Sequence, residues 1–262
     1  RRLLFDLNYF DETLPGPFEY DVKRMAASFT IAARNNGFAK ADTRAVTLAS
    51  VAAYREAMAS FAKMGTLAIW YAHLDEDELM KGVRSAGAEA ATTKAKKQAK
   101  RAEKSLRKGA AKARTRDSLQ ALSKLAERVD GQYRIVSQPP IVVPVRNVEA
   151  AYGLSADEIE QVIREQFRAY RATLQDDRRH LLERFEVVDL ARKVVGVGSV
   201  GTRAFIVLLQ GRDQQDPLFL QVKEATASVL EMHLPKSRYK QHGERVVQGQ
   251  RRMQASSDIF LG

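Results

Sequence analysis

Three glycines, one lysine and two aspartates are the residues of this chain whose types and spacing suggest chemistry. Gly196, Gly198 and Gly201 stand at the G-x-G-x-x-G spacing, with Ser199 between them, and Lys223 closes the apolar run that begins at Leu218. Glycines so placed let a backbone approach phosphate closely, and a lysine can hold phosphate charge. Asp6 and Asp11 sit in LLFDLNYFDE near the other end of the sequence. Hard cations such as Mg²⁺ are held by one or two carboxylates together with phosphate oxygens. The plainer alternatives are glycines that only turn the chain, a lysine that reaches solvent, and acids that cap a turn.

Two phosphate-binding devices share this glycine spacing. In a dinucleotide-binding fold the third glycine opens a helix whose amides hold a pyrophosphate. In protein kinases the glycines lie in a hairpin over the ATP phosphates, which a lysine on the third strand reaches. The residues after Gly201 include Phe205, Ile206, Val207, Leu208 and Leu209. That β-branched and aromatic run predicts a strand and favours the hairpin. Alternation then puts Leu218, Leu220 and Val222 on one face of the third strand and Phe219, Gln221 and Lys223 on the other. Kinase lobes also pair their lysine with a glutamate from the following helix, for which Glu231 and Glu244 both stand open.

The elements that must position these groups are mostly helical. Asp21 can cap a helix through about Asn36 ended by Gly37, and Asp42 a second running to about Met64. Trp70 and Tyr71 fall in a third helical stretch and read as core. Residues 75–116 read as a long, poorly buried helix or arm. Residues 131–145, with Pro139 and Pro140 excluding a central strand, read as an extended segment along the helices. Ser155 and Glu158 match a capping box for a helix through about Gln175. A lobe boundary is expected at 184–189, and further helical patterns follow at 225–234 and 242–260.

The 262 residues, 45% of them hydrophobic, suffice for one or two domains. The absence of cysteine excludes disulfides, a thiolate nucleophile and zinc–thiolate sites. No apolar run of membrane length and no signal-peptide pattern are present, so a cytoplasmic protein without a membrane partner is expected. The net charge of +11 is local: residues 93–116 carry eleven basic residues and one acid, Glu103, which leaves the rest nearly balanced. This segment could grip nucleic-acid phosphates. With no aromatics among the lysines to stack bases, a solvated face is the favoured reading. Arg1 is not an initiating Met, and the apolar strand begins at once, which points to a fragment of a larger fold.

The blocks FDLNYFDETLPGPFEYDVKRMAAS, VVGVGSVGTRAFIVLL, LFLQVKEA and GERVVQGQRRMQASSDIFLG resemble the bacterial domain-of-unknown-function family 2252, over essentially the whole chain. That family is similar in its motifs to the protein-kinase-like superfamily, including aminoglycoside phosphotransferases. The resemblance implies an α+β, protein-kinase-like fold in circularly permuted order. Residues 1–185 would form a helical lobe with a basic arm near 93–116, and residues 186–262 a small antiparallel-sheet lobe. It further implies an ATP site at Gly196, Gly198, Ser199, Gly201, Gln221 and Lys223, with Glu231 or Glu244 as the partner of Lys223. Mg²⁺ would sit on Asp6 and Asp11, and the acceptor substrate is unspecified. Family members usually carry a G-D-x-H-x-x-N type segment holding the catalytic base; it is not in this sequence and is expected upstream of residue 1. Tyr9 stands where the family commonly has aspartate, and a non-catalytic nucleotide-binding or protein-interaction module is the alternative.

Overall fold

The computed structural model describes residues 3–115, 118–147, 156–194 and 203–262. Its first half is built from short pairings. Strand β1 (Leu4–Phe5) pairs antiparallel with β2 (Leu74–Asp75), and between them lie α1 (Glu19–Asn35), α2 (Lys40–Phe61) and α3 (Thr66–Trp70). Gly37 ends α1 as expected: its φ of 71° is left-handed, and the Phe38 and Gly37 amides donate to the carbonyls of Ala33 and Arg34. The Thr30 and Thr47 hydroxyls, 2.7 Å apart, join α1 to α2. Both helices begin earlier than the aspartates suggested. Phe18 and Ala39 occupy the N-cap positions, and Asp21 and Asp42 sit in the first turns, where the helix dipole favours them.

Residues 75–116 are not one long helix. Asp75 caps α4 (Glu76–Ala88) by accepting from the Glu78 amide, and Thr92 caps α5 (Thr93–Arg114) by accepting from the Ala95 amide. The two pack as a helical hairpin. The aromatics read as core are exposed instead: Trp70 is 78% and Tyr71 72% accessible. The apolar strand at the start of the chain is short and uncovered: it spans two residues and both are exposed.

The second half holds the sheet. After α6 (Ser118–Leu125), β3 (Ala126–Val129) and β4 (Gln132–Ile135) form a hairpin that turns at Asp130-Gly131, both left-handed. Strand β5 (Val142–Pro144) joins β6 (Glu186–Lys193), β7 (Ala204–Gln210) and β8 (Pro217–Lys223) in a four-stranded antiparallel sheet of that order. Residues 131–145 therefore do not lie along the helices; they supply the second strand of a hairpin and an edge strand, the position the prolines permit. The sheet accordingly draws a strand from before residue 185.

Strand β7 is buried on both faces because each is covered. Ile206 and Leu208 pack with Leu122 of α6, Ile135 of β4 and Val142 of β5. Val207 and Leu209 pack with Leu174 and Leu182, backed by Phe167, Tyr170 and Phe260. The second cover comes from α7 (Ala156–Ala172) and α8 (Asp176–Leu182). Asp189, beside a bulge in β6, ties the layers together: it accepts from the Ile135 amide at 2.7 Å and from Arg146. A last helix, α9 (His242–Met253), follows the sheet.

Candidate functional site

Lys223 is the last residue of β8 and pairs with Ala204, the first residue of β7. Gly196, Gly198, Ser199 and Gly201 lie outside the described residues. The strands on either side, β6 and β7, are antiparallel neighbours, and the residues after Gly201 form a strand rather than a helix. The predicted alternation along β8 holds as far as Leu220, with Leu218 and Leu220 packing toward α7 and α8 and Phe219 toward α6, while Val222 is exposed. Gln221 and Lys223 are exposed. Beside Lys223, Glu224 accepts from the Arg203 amide and Nε at 3.1 Å each. The Arg203 guanidinium holds that carboxyl below the usual carboxylate range. This ion pair fastens the start of β7 to the end of β8.

The aspartate segment runs antiparallel along α9. At one end Asp6 accepts from the Leu7 and Ala255 amides at 2.8 Å each, and the Leu7 carbonyl accepts from Gln254 at 2.9 Å. Further along, Gly249 approaches Thr13 so closely that a Cβ there would lie 2.3 Å from its hydroxyl oxygen. At the other end Arg245, 2% exposed, donates through Nη1 to the Thr13 carbonyl and through Nη2 to the carbonyls of Asp11 and Thr226. Its Nε finds no partner among the described residues. Glu12 adds a second tie, its Oε2 accepting from the Ser228 hydroxyl and the Val229 amide. Tyr9, with φ of 68°, holds a left-handed turn that costs a non-glycine residue about 1 kcal/mol.

One guanidinium nitrogen thus bonds both the backbone at Asp11 and the backbone at Thr226, three residues beyond Lys223. Three residues of extended chain reach at most about 10 Å, which bounds the distance from Lys223 to the Thr226 end of this junction. Asp6 is at the opposite end of α9, about 15 Å along the axis from Arg245. Both Asp6 oxygens already serve backbone amides, although each keeps a lone pair; the Asp11 carboxylate is exposed and has no partner among the described residues. Neither glutamate is paired with the lysine among the described residues. Glu231, in a short 3₁₀ turn, accepts from the Ser237 amide at 3.3 Å, and Glu244 lies exposed in the first turn of α9.

Arg245, Gly249, Glu12 and Ser228, which no sequence motif marks out, hold this junction together. The available signal was a glycine in mid-helix, which is unfavourable unless a neighbour needs the room. Two open apolar grooves lie elsewhere. One of about 730 Å³ runs between α1 and α2, and one of about 270 Å³ lies between β1 and the α4–α5 hairpin. Among the described residues no group of three or more His, Asp or Glu could hold a metal ion, and no helix is long and apolar enough to cross a membrane.

A family model described as "Uncharacterized protein conserved in bacteria (DUF2252)" matches residues 1–262. No curated protein and no solved structure matches the chain.

Proposed function

The chain belongs to the bacterial family DUF2252, and from that premise we propose that it acts as a kinase-like, ATP-dependent phosphotransferase of circularly permuted order in the cytoplasm. One observation carries this reading: Arg245 joins the carboxylate-bearing segment at Asp11 to the segment leaving Lys223. A triphosphate with its metal spans on the order of 10 Å, comparable to the reach from Lys223 to that junction.

Phosphoryl transfer asks a protein chiefly to position groups and neutralise charge. In this proposal Gly196, Gly198 and Gly201 would let backbone approach the phosphates, Lys223 neutralises their charge, and Asp11 supplies the hard oxygen that suits Mg²⁺. Asp6, held by backbone amides at the far end of α9, fixes the segment rather than sharing the metal. Bound Mg-ATP would supply the transferable phosphoryl group. Arg245 keeps the aspartate segment and the lysine strand in fixed relation.

A specific observation favours the second reading, a nucleotide-binding module without turnover. The Asp6 carboxylate is committed to backbone amides, and no carboxylate fixes the Lys223 ammonium among the described residues. Calorimetric titration of the full-length protein with Mg-ATP, followed by a hydrolysis assay, separates the two. Binding with turnover supports the transferase, binding without turnover supports the module, and no binding removes both.

A further inference from the structure

The α4–α5 hairpin sorts its residues by face with little overlap. Ala95, Ala99, Glu103, Leu106, Ala110 and Ala113 are the partly buried positions of α5, and Gly87 of α4 is in contact with Ala99. The acids that reach α5 are used at its flank: Glu103 takes Arg84 and Arg107, and Glu76 takes Arg114. Lys96, Lys97, Lys100, Arg101, Lys104, Lys108 and Lys112 are all exposed, and none makes an ion pair among the described residues. At 100° per residue these seven fall within an arc of about 160°, centred opposite the apolar stripe.

We propose that this face of α5 is a docking surface for the phosphate backbone of duplex nucleic acid, bound without sequence preference. Spacing provides the complementarity. From Lys96 to Lys112 the helix rises about 24 Å, and a duplex presents one phosphate per 3.4 Å on each strand, or about seven over that length. Seven cations therefore meet seven phosphates at matched density. An anionic membrane is the weaker match, because the basic arc offers Ala111 and no large apolar side chain to insert between lipids. The lack of aromatics excludes base stacking, which makes the recognition electrostatic and independent of sequence.

The test is a fluorescence-anisotropy titration of the full-length protein with a labelled 20-base-pair DNA duplex across salt concentrations. The wild type is expected to bind with a log–log salt slope of about −6, as about seven neutralised phosphates require. The variant K97Q/R101Q/K104Q/K108Q spares every residue of the α4 contact. It is expected to lose about 3.6 from that slope and at least about 100-fold in affinity at 0.1 M salt. Removing the same number of charges elsewhere, at Lys23, Lys63, Lys236 and Lys240, is expected to leave the slope nearly unchanged. Should circular dichroism show the fourfold variant unfolded, K104Q/K108Q takes its place, with about half the effect. Absence of duplex binding at 50 mM salt, equal losses in the control variant, or preferential binding to vesicles of phosphatidylserine and phosphatidylcholine would each overturn the proposal.

Discussion

Strand β7 and helix α2 are both rich in apolar residues, yet the structure treats them differently. Leu209 in β7 is 0% exposed, whereas Leu48 in α2 is 53% exposed. The sheet is covered on one face by α6 and the β3–β4 hairpin and on the other by α7 and α8, so both alternating faces of its central strand become core. The helices of the first half pair two by two, and among the described residues they bury only Ala33, Thr43 and Met80. Stability in the sheet half therefore rests on a shared interior, and in the helical half on local pairings and caps. The proposed nucleotide site lies where the N-terminal segment crosses onto the sheet half and α9.

The largest expected effect attacks the shared interior. Leu209→Ala should cost about 2–5 kcal/mol in urea unfolding, because the site is enclosed on both sides and cannot collapse. Gly249→Ala comes next. At an ordinary helix position it would stabilise by up to about 1 kcal/mol, but the new Cβ would strike the short, branched Thr13 side chain. A net loss of about 1–2 kcal/mol is expected, with faster hydrogen exchange at residues 6–13.

A smaller effect tests the cover of the sheet. Burial, and then the nearby Asp258 carboxylate, push the Tyr170 hydroxyl up to about 12, while its O–H donates to the Phe260 carbonyl. The folded state thus holds this proton more tightly than the unfolded chain, whose tyrosine titrates near 10. The contribution is fully present below pH 10 and is lost as pH rises from 10 through 12. It amounts to about 1 kcal/mol after allowance for solvent at a half-buried ring. Chemical unfolding at pH 9, 10.5 and 12 should show this loss in the wild type and not in Tyr170→Phe. Smallest of all, Leu48→Ala should change stability by less than about 1 kcal/mol, and a cost like that of Leu209→Ala would erase the contrast between the halves.

Where one local force decided the outcome, the sequence was legible. Gly37 stops α1 because only a left-handed residue satisfies the last carbonyls, and the apolar alternation from Leu218 to Leu220 assigns the faces of β8. Asp130-Gly131 between Val129 and Gln132 carried a hairpin signal that the neighbouring prolines obscured. Trp70 and Tyr71 misled because an aromatic residue reports an appetite for burial and not its fulfilment. The candidate site was half legible. Residue types named Lys223 and the aspartates, but their grouping depends on Arg245, whose partners are backbone carbonyls, two of them more than 230 residues away, and leave no side-chain pattern.

The central claim is that Lys223 and the aspartate segment act on one nucleotide, and a double-mutant cycle on Mg-ATP affinity tests it most directly. Asp11→Asn is the suitable partner for Lys223→Ala, since the Asp11 side chain supports no described contact whose loss would confuse the result. Two groups sharing one bound ligand should be non-additive, with a coupling energy of at least about 0.5–1 kcal/mol by calorimetry. Additive effects, or a wild type that does not bind Mg-ATP, would contradict the claim.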